Sequence, residues 1–265
     1  MIENILICYI LQIAFTVGII TLFGLLIAIC NKRFYANLGG YGKTVCYITG
    51  AVGTPLHECA HALFCLIFGH KITEIKFFQI NSADGTLGYV QHAYNSKNIY
   101  QKVGNFFIGI APIVVISAVL YLLAHVLLPG FAVGINKTLG NIRLVGNFEG
   151  VLSGFFNILK SFFLCAGAWQ WWIFIFASTL LSLHMTLSKE DIKGALSGLI
   201  LLLVAVLVAD IIMGLIKTEL LLSFTRLVLQ ASSYLVCIFF VAFLTSIIDV
   251  IISYFFYLIK RRIRI

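Results

Sequence analysis

The sequence predicts an all-α polytopic membrane protein of about six transmembrane helices, with a small β-hairpin between the second and third. Three observations carry this expectation. The 265 residues are 61% hydrophobic and only 11% charged, against roughly 45–50% and about 25% in soluble domains. Mean hydropathy is +1.06. The apolar residues also fall into long runs, and about 20 such residues cross a bilayer. With the polar connections set aside, there is room for about six runs and for no separate soluble domain, so residues 1–265 read as one membrane-embedded domain. A soluble globular enzyme and a disordered chain are both excluded.

The elements follow in order. Ile5–Cys30 is an uncharged run long enough to span, and Asn31–Lys43 is a polar, Gly-rich connection. Thr44–Gly69 is apolar at both ends but carries His57, Glu58 and His61 in its middle, with Pro55 placed to kink or restart the helix. His70–Lys102 is the most polar stretch. Its alternation over Lys71–Phe78, the Asp84-Gly85 turn signal and the Gly85–Val90 run predict a strand pair near residues 72–91. A third span is expected near Val103–Leu128, a Gly-rich connection over Pro129–Lys160, and a fourth span near Ser161–Leu187 with Trp169, Trp171 and Trp172 at an interface. The polar run from Ser188 to Asp191 separates it from a fifth span, Ile192–Ile216. Lys217–Arg226 is a polar-flanked turn or interfacial helix before the last span, Leu227–Ile259.

The formal net charge is +8. The basic residues sit at the ends of apolar runs, as in Lys32-Arg33 and Lys260-Arg261-Arg262, which is the pattern of membrane anchors. No aromatic-and-basic motif accompanies them, so no nucleic-acid partner is expected. The charge bias between alternate connections is small, and the basic tail favours both termini in the cytoplasm. Glu3 and the lack of a basic residue before the first run argue against a cleaved signal peptide. The seven cysteines lie mostly within apolar runs and include no CxxC pair, so they read as small buried hydrophobes.

The chemistry-bearing signal is His57-Glu58-Cys59-Ala60-His61, an HExxH. On a helix, residues i and i+4 share a face, so both imidazoles can hold one metal ion while Glu58 lies beside the open, water-filled position. A chain of this composition contains such a pattern by chance about 0.003 times. Three ionisable residues at membrane depth are costly and ordinarily functional; the bland alternative is a polar cluster tying helices together. A catalytic zinc site takes a third protein ligand. The candidates are His70, His92, His184, Asp191 and Asp210. His70 reads as an interfacial residue closing the span, His92 as solvated or substrate-contacting, and Asp210 as an interhelical hydrogen-bonding group. The polar break from Ser182 to Gly194 must face protein or water, and a ligand on it could meet the second span.

Three pieces resemble the site-2 protease family of intramembrane zinc metalloproteases. Gly53–Ala62 looks like that family's first catalytic helix. Phe68–Ile72 leading to Gly85–Val90 is similar to its membrane-associated β-hairpin. The break ending Glu190-Asp191-Ile192-Lys193-Gly194 occupies the place of its Leu-Asp-Gly motif. The likeness covers roughly residues 50–200. It implies Zn²⁺ held by His57, His61 and Asp191, with Glu58 as general base and then acid, and with His184 as the rival third ligand. This chain departs from the family pattern at Ser182, Met185 and Ile192. The resemblance implies a zinc-dependent endopeptidase acting on a membrane-protein or transmembrane peptide substrate within the lipid bilayer. The rival class is a non-catalytic membrane protein, either a degenerate protease homologue or a metal transporter or sensor.

Overall fold

The computed structural model describes residues 2–80, 82, 85–141 and 148–263. Asp84, half of the turn signal, lies outside them, as do Arg143 and Arg264. The described chain opens with α1 (Ile2–Ile13), a π-helical turn at Ala14–Gly18, α2 (Ile19–Leu38) and a 3₁₀ turn at Gly39–Tyr41. Then come α3 (Gly42–Ile67), β1 (Lys71–Lys76), β2 (Tyr89–Ala93) and α4 (Ile99–Leu127). The remainder is α5 (Pro129–Asn141), α6 (Phe148–Leu164), α7 (Trp169–Ser182), α8 (Lys189–Ile216) and α9 (Thr218–Ile263).

Among the described residues, four helical runs are long and apolar enough to cross a membrane: Ile2–Ile67, Ile99–Leu127, Lys189–Ile216 and Thr218–Arg262. A fifth is obtained if α6 and α7, bent by 116° at a short break, count together. The difference from six has local causes. The 31–43 connection is helix except for the 3₁₀ turn, so the first two runs join into one stretch of 66 residues. At about 1.5 Å per residue that stretch is far longer than a bilayer is thick. Within the Gly-rich 129–160 stretch, the described residues 129–141 form α5 and 148–160 belong to α6, and the run taken as a fourth span is cut at residues 165–168. Lys217 alone separates α8 from α9, so the turn expected over 217–226 is already helix. Pro55 lies inside an unbroken α3; its missing N–H removes one ladder hydrogen bond without ending the helix.

The described residues divide into two units. The first comprises Met1–Phe23, Tyr121–Ile175 and Leu203–Val241. Its interior holds an aromatic cluster in which Phe162 meets Phe131, Trp171 and Phe174 at centroid distances of 5.1, 5.5 and 6.1 Å. Trp171 is buried there, whereas Trp169 and Trp172 are exposed. A polar group is also satisfied internally: the Gln12 amide donates to Asp210 (3.1 Å) and to Thr225 (2.9 Å). Asp210 is thus an interhelical hydrogen-bonding group and lies in neither of the two metal-ligand clusters among the described residues.

The second unit comprises Gly24–Leu120, Phe176–Leu202 and Ala242–Ile265. Its central helix is α3, whose faces are inverted relative to a soluble protein. Thr49, Thr54, Glu58 and His61 are buried, and Ile48, Val52, Leu63, Leu66 and Ile67 are exposed. Apolar side chains facing outward and ionisable ones facing inward are what a lipid solvent demands. Hydrogen bonds tie α7 into place beside it. Asn31 donates to the Ser182 carbonyl (2.8 Å), and Thr179 and Ser182 both donate to the buried Asp249 carboxylate on α9, Ser182 at 2.7 Å. These bonds fix the point from which the 183–188 loop departs.

The two strands pair antiparallel, Lys76 opposite Tyr89 and Ile72 opposite His92, with a bulge between Ile72 and Glu74. The connection between them is long. It is held by Gln79 N–H on the Leu87 carbonyl (2.7 Å) and by Gly85, whose φ of 79° suits glycine.

Candidate metal centre

His57 and His61 stand one turn apart on α3, and their Nε2 atoms lie 3.1 Å from each other. Asp191 comes to the same point from the first turn of α8. Its Oδ1 is 3.1 Å from His61 Nε2, and its Oδ2 is 3.8 Å from His57 Nε2. One ligand atom from each of the three lies within 4.8 Å of the others.

The outer nitrogens explain the aim of the rings. His57 Nδ1–H donates to the backbone carbonyl of His184 (2.7 Å), and His61 Nδ1–H donates to that of Ile108 (2.9 Å). A carbonyl can only accept, so each Nδ1 carries a proton, and in the neutral ring each Nε2 then holds the lone pair. This is the arrangement found when a metal-ligating histidine is oriented by an outer hydrogen bond. Two bare imidazole nitrogens and a carboxylate oxygen converging on one point are a donor set that zinc accepts. The residues present therefore fit the ion. Their side chains are 13%, 8% and 15% exposed in the order His57, His61, Asp191, so the centre is sheltered without being sealed.

Asp191 is positioned by a capping box. The Ser188 N–H donates to Asp191 Oδ2 (2.7 Å) and the Asp191 N–H donates to Ser188 Oγ (3.0 Å), which starts α8 and turns the carboxylate. The approach of α8 to α4 depends on Gly109. A Cβ there would meet the Asp191 carbonyl oxygen and would lie 2.7 Å from the Ala195 Cβ. A larger residue at 109 would push Asp191 away. Replacing Ser188 by Ala is expected to cost about 1 kcal/mol of stability as a lost cap. It should also weaken zinc binding by about 10–100-fold, as is typical for outer partners of a ligand. Competition with a coloured chelator measures the second effect, and unchanged affinity would show that the capping box only starts the helix.

His184 does not join the cluster. Its ring bonds the hydroxyls of Thr49 (2.8 Å, Nε2) and Thr54 (3.4 Å, Nδ1). Burial lowers its pKa to about 4, so at pH 7 it is a neutral hydrogen-bonding group. Its contribution to the centre is its backbone carbonyl.

Glu58 is buried beside the two histidines. The backbone just before β2 rests on it: a Cβ at Gly88 would lie 2.8 Å from Glu58 Cγ, 2.8 Å from Thr54 Cγ2 and 2.9 Å from the Lys76 carbonyl oxygen. The strand pair thus begins directly over the carboxylate. His70 and His92 also stand apart from His57 and His61, in a second cluster with Cys65. The orienting carbonyls of His184 and Ile108 could not be anticipated from residue type, since every residue carries one. The Ser188–Asp191 capping box has a sequence signature, Ser-x-x-Asp before an apolar run.

Residues 50–142 match the model of a family described as "Putative zincin peptidase". The match takes in the HExxH, the strand pair and α4, and it ends before Asp191. In this stretch the chain is similar to zinc metallopeptidases. Neither the curated proteins nor the solved structures contain a match to this chain.

Proposed function

We propose that this protein is an intramembrane zinc endopeptidase, similar to the site-2 proteases, that cleaves a peptide bond in a membrane-protein or transmembrane peptide substrate. The observation that carries this reading is the convergence of His57 Nε2, His61 Nε2 and an Asp191 oxygen with both outer histidine nitrogens anchored, next to a buried Glu58. The similarity of residues 50–142 to zincin peptidases supports it. The 66-residue first run is long enough for two crossings, which with the other runs and the bent pair makes six. Six crossings put both termini on one side, and the basic tail favours the cytoplasm.

His57, His61 and Asp191 would hold the ion. Zinc bound there would supply a Lewis acid for the scissile carbonyl and acidify water. The anchored Nδ1–H groups of His57 and His61 keep both rings from turning as charge develops. Glu58 takes the proton of the attacking water, whose oxygen bonds to the carbonyl carbon. Glu58 then returns that proton to the amine nitrogen as the C–N bond breaks. A helical substrate hides its peptide bonds, so an extended segment is needed. An outer edge of the β1–β2 pair, which starts over Glu58, is suited to hold one by strand addition.

The reading is tested with the purified full-length protein on two probes: a single-span membrane protein co-reconstituted in vesicles, and an unfolded soluble protein in detergent. Cleavage of the first that is stopped by a chelator and restored by zinc is the expected result. Cleavage of the soluble probe alone would keep a peptidase and remove the intramembrane substrate. Cleavage of neither by folded, zinc-loaded protein would overturn the reading in favour of a non-catalytic homologue.

A further inference from the structure

Beyond His57 and His61, the next metal-ligating side chains are Cys65 on α3 and His70 just past its end. Positions 57, 61 and 65 recur every four residues, so they lie on one stripe of the helix, with steps of about 6 Å. Cys65 is fully buried and His70 is 4% exposed. The way α3 ends brings them together. Gly69 adopts φ 68°, its N–H bonds to the Leu66 carbonyl (3.2 Å), and the His70 N–H bonds to the Cys65 carbonyl (2.8 Å). This is a Schellman cap, in which the residue after the glycine folds back over the residue five before it. An apolar pair commonly closes that contact. Here it is a thiol and an imidazole.

His92 completes the group from β2. Its Nδ1 is 3.0 Å from His70 Nδ1, and Cys65, His70 and His92 each offer a ligand atom within 4.8 Å of the others. The His70 ring is locked. Its Nε2–H donates to the Gln101 carbonyl (2.8 Å), and its face stacks on Tyr94 at 5.0 Å. Gln101 is itself fixed, donating to the Gly69 carbonyl (2.8 Å) and accepting from the Asn95 N–H (2.7 Å). With the proton on Nε2, His70 Nδ1 carries a lone pair directed at His92. The outer nitrogen anchored on a carbonyl is the same device seen at His57 and His61.

We propose that Cys65, His70 and His92 form a second metal site, for an ion of the zinc class, that clamps β2 to the end of α3. Thiolate and imidazole together favour a thiophilic first-row ion over magnesium or calcium. Three protein ligands leave a fourth position for water or an exogenous group. Binding converts the Cys65 thiol to thiolate, releasing its proton to solvent. His92 moves its proton from Nδ1 to Nε2, and the two Nδ1 atoms part by a few tenths of an ångström to admit ~2.0 Å metal–nitrogen bonds. Because β2 begins over Glu58, an ion here sets where the strand pair stands relative to His57 and His61. The site goes beyond the peptidase reading and does not depend on it.

The two centres differ in one way that can be read directly: only the second contains sulfur. Purified full-length protein would be stripped with a chelator, loaded with Co²⁺ or Zn²⁺, and examined by absorption and by metal content. The expected wild-type result is about two ions per chain and a near-ultraviolet thiolate-to-cobalt charge-transfer band. Cys65→Ser should abolish the band and leave about one ion, and His92→Ala, at a partly exposed position, should also lower the content to about one. His57→Ala should lose one ion and keep the band. Folded wild type that binds one ion without the band would overturn this proposal and leave the peptidase reading standing. A band that survives in Cys65→Ser would overturn it too. Retention of the band with no ion lost in His57→Ala would support this site and count against the first.

Discussion

Glu58→Gln is expected to bind zinc as the parent does and to lose cleavage by at least about 10²–10⁴-fold, the range contributed by a positioned general acid–base. The substitution is chosen for shape. Glutamine fills the same volume beneath Gly88, whose missing Cβ leaves only enough room for the side chain now there. The strand pair therefore keeps its place, and the change is confined to a group that can no longer accept and return a proton. The three groups gathered around the candidate ion do not include Glu58, so metal content should not fall. Cleavage of a co-reconstituted substrate and zinc content would be measured on the same preparation. Cleavage near the parent level would mean that water is activated by another group. Loss of zinc would mean that Glu58 is a ligand and that the mechanism has the wrong base.

What could be read in advance divides by sequence distance. The HExxH is a local pattern: its spacing alone places two rings on one face of a helix, and both rings do share a face of α3. The strand pair was likewise visible as the one polar, alternating stretch. The helical connections were not. Gly39 and Gly40 read as a loop, but α2 and α3 are joined by a single 3₁₀ turn over Gly39–Tyr41. The glycines of 129–160 read as a connection between spans, yet Phe131 and Phe162 pack against each other and hold α5 and α6 as helices. Composition could not reveal that, because the aromatic partners come from three helices.

At the site, the same limit applies. His70 and His92 looked like interfacial or solvated residues, since nothing in a linear pattern says that a strand will bring position 92 against the end of α3. Cys65 looked like a small hydrophobe, and by burial it is one. Its second character appears only when the helix cap folds His70 over it. The carbonyl that orients His57 lies 127 residues away and belongs to a residue whose own ring points elsewhere. His184 was thus a reasonable rival ligand by residue type, and its part in the centre is played by its backbone.

The contrast between Asp191 and His184 gives the second large expected effect. Asp191→Ala should remove zinc from the His57–His61 pair and with it all cleavage. The affinity loss should exceed the 10–100-fold typical of an outer partner, because a first ligand and its negative charge both disappear. Asp191→Asn keeps an oxygen that can accept the Ser188 N–H and lacks the charge, so it should fall between the parent and Asp191→Ala. His184→Ala should retain zinc, since the carbonyl on His57 Nδ1 belongs to the backbone and survives the substitution. Its cost should come from the lost bonds to Thr49 and Thr54, which hold that backbone in place. The measurement is zinc affinity in the Cys65→Ser background, where the sulfur-containing cluster cannot contribute to the count. Zinc lost in His184→Ala and kept in Asp191→Ala would mean that the 183–188 loop turns its imidazole inward when the ion binds, and the ligand set would have to be redrawn around position 184.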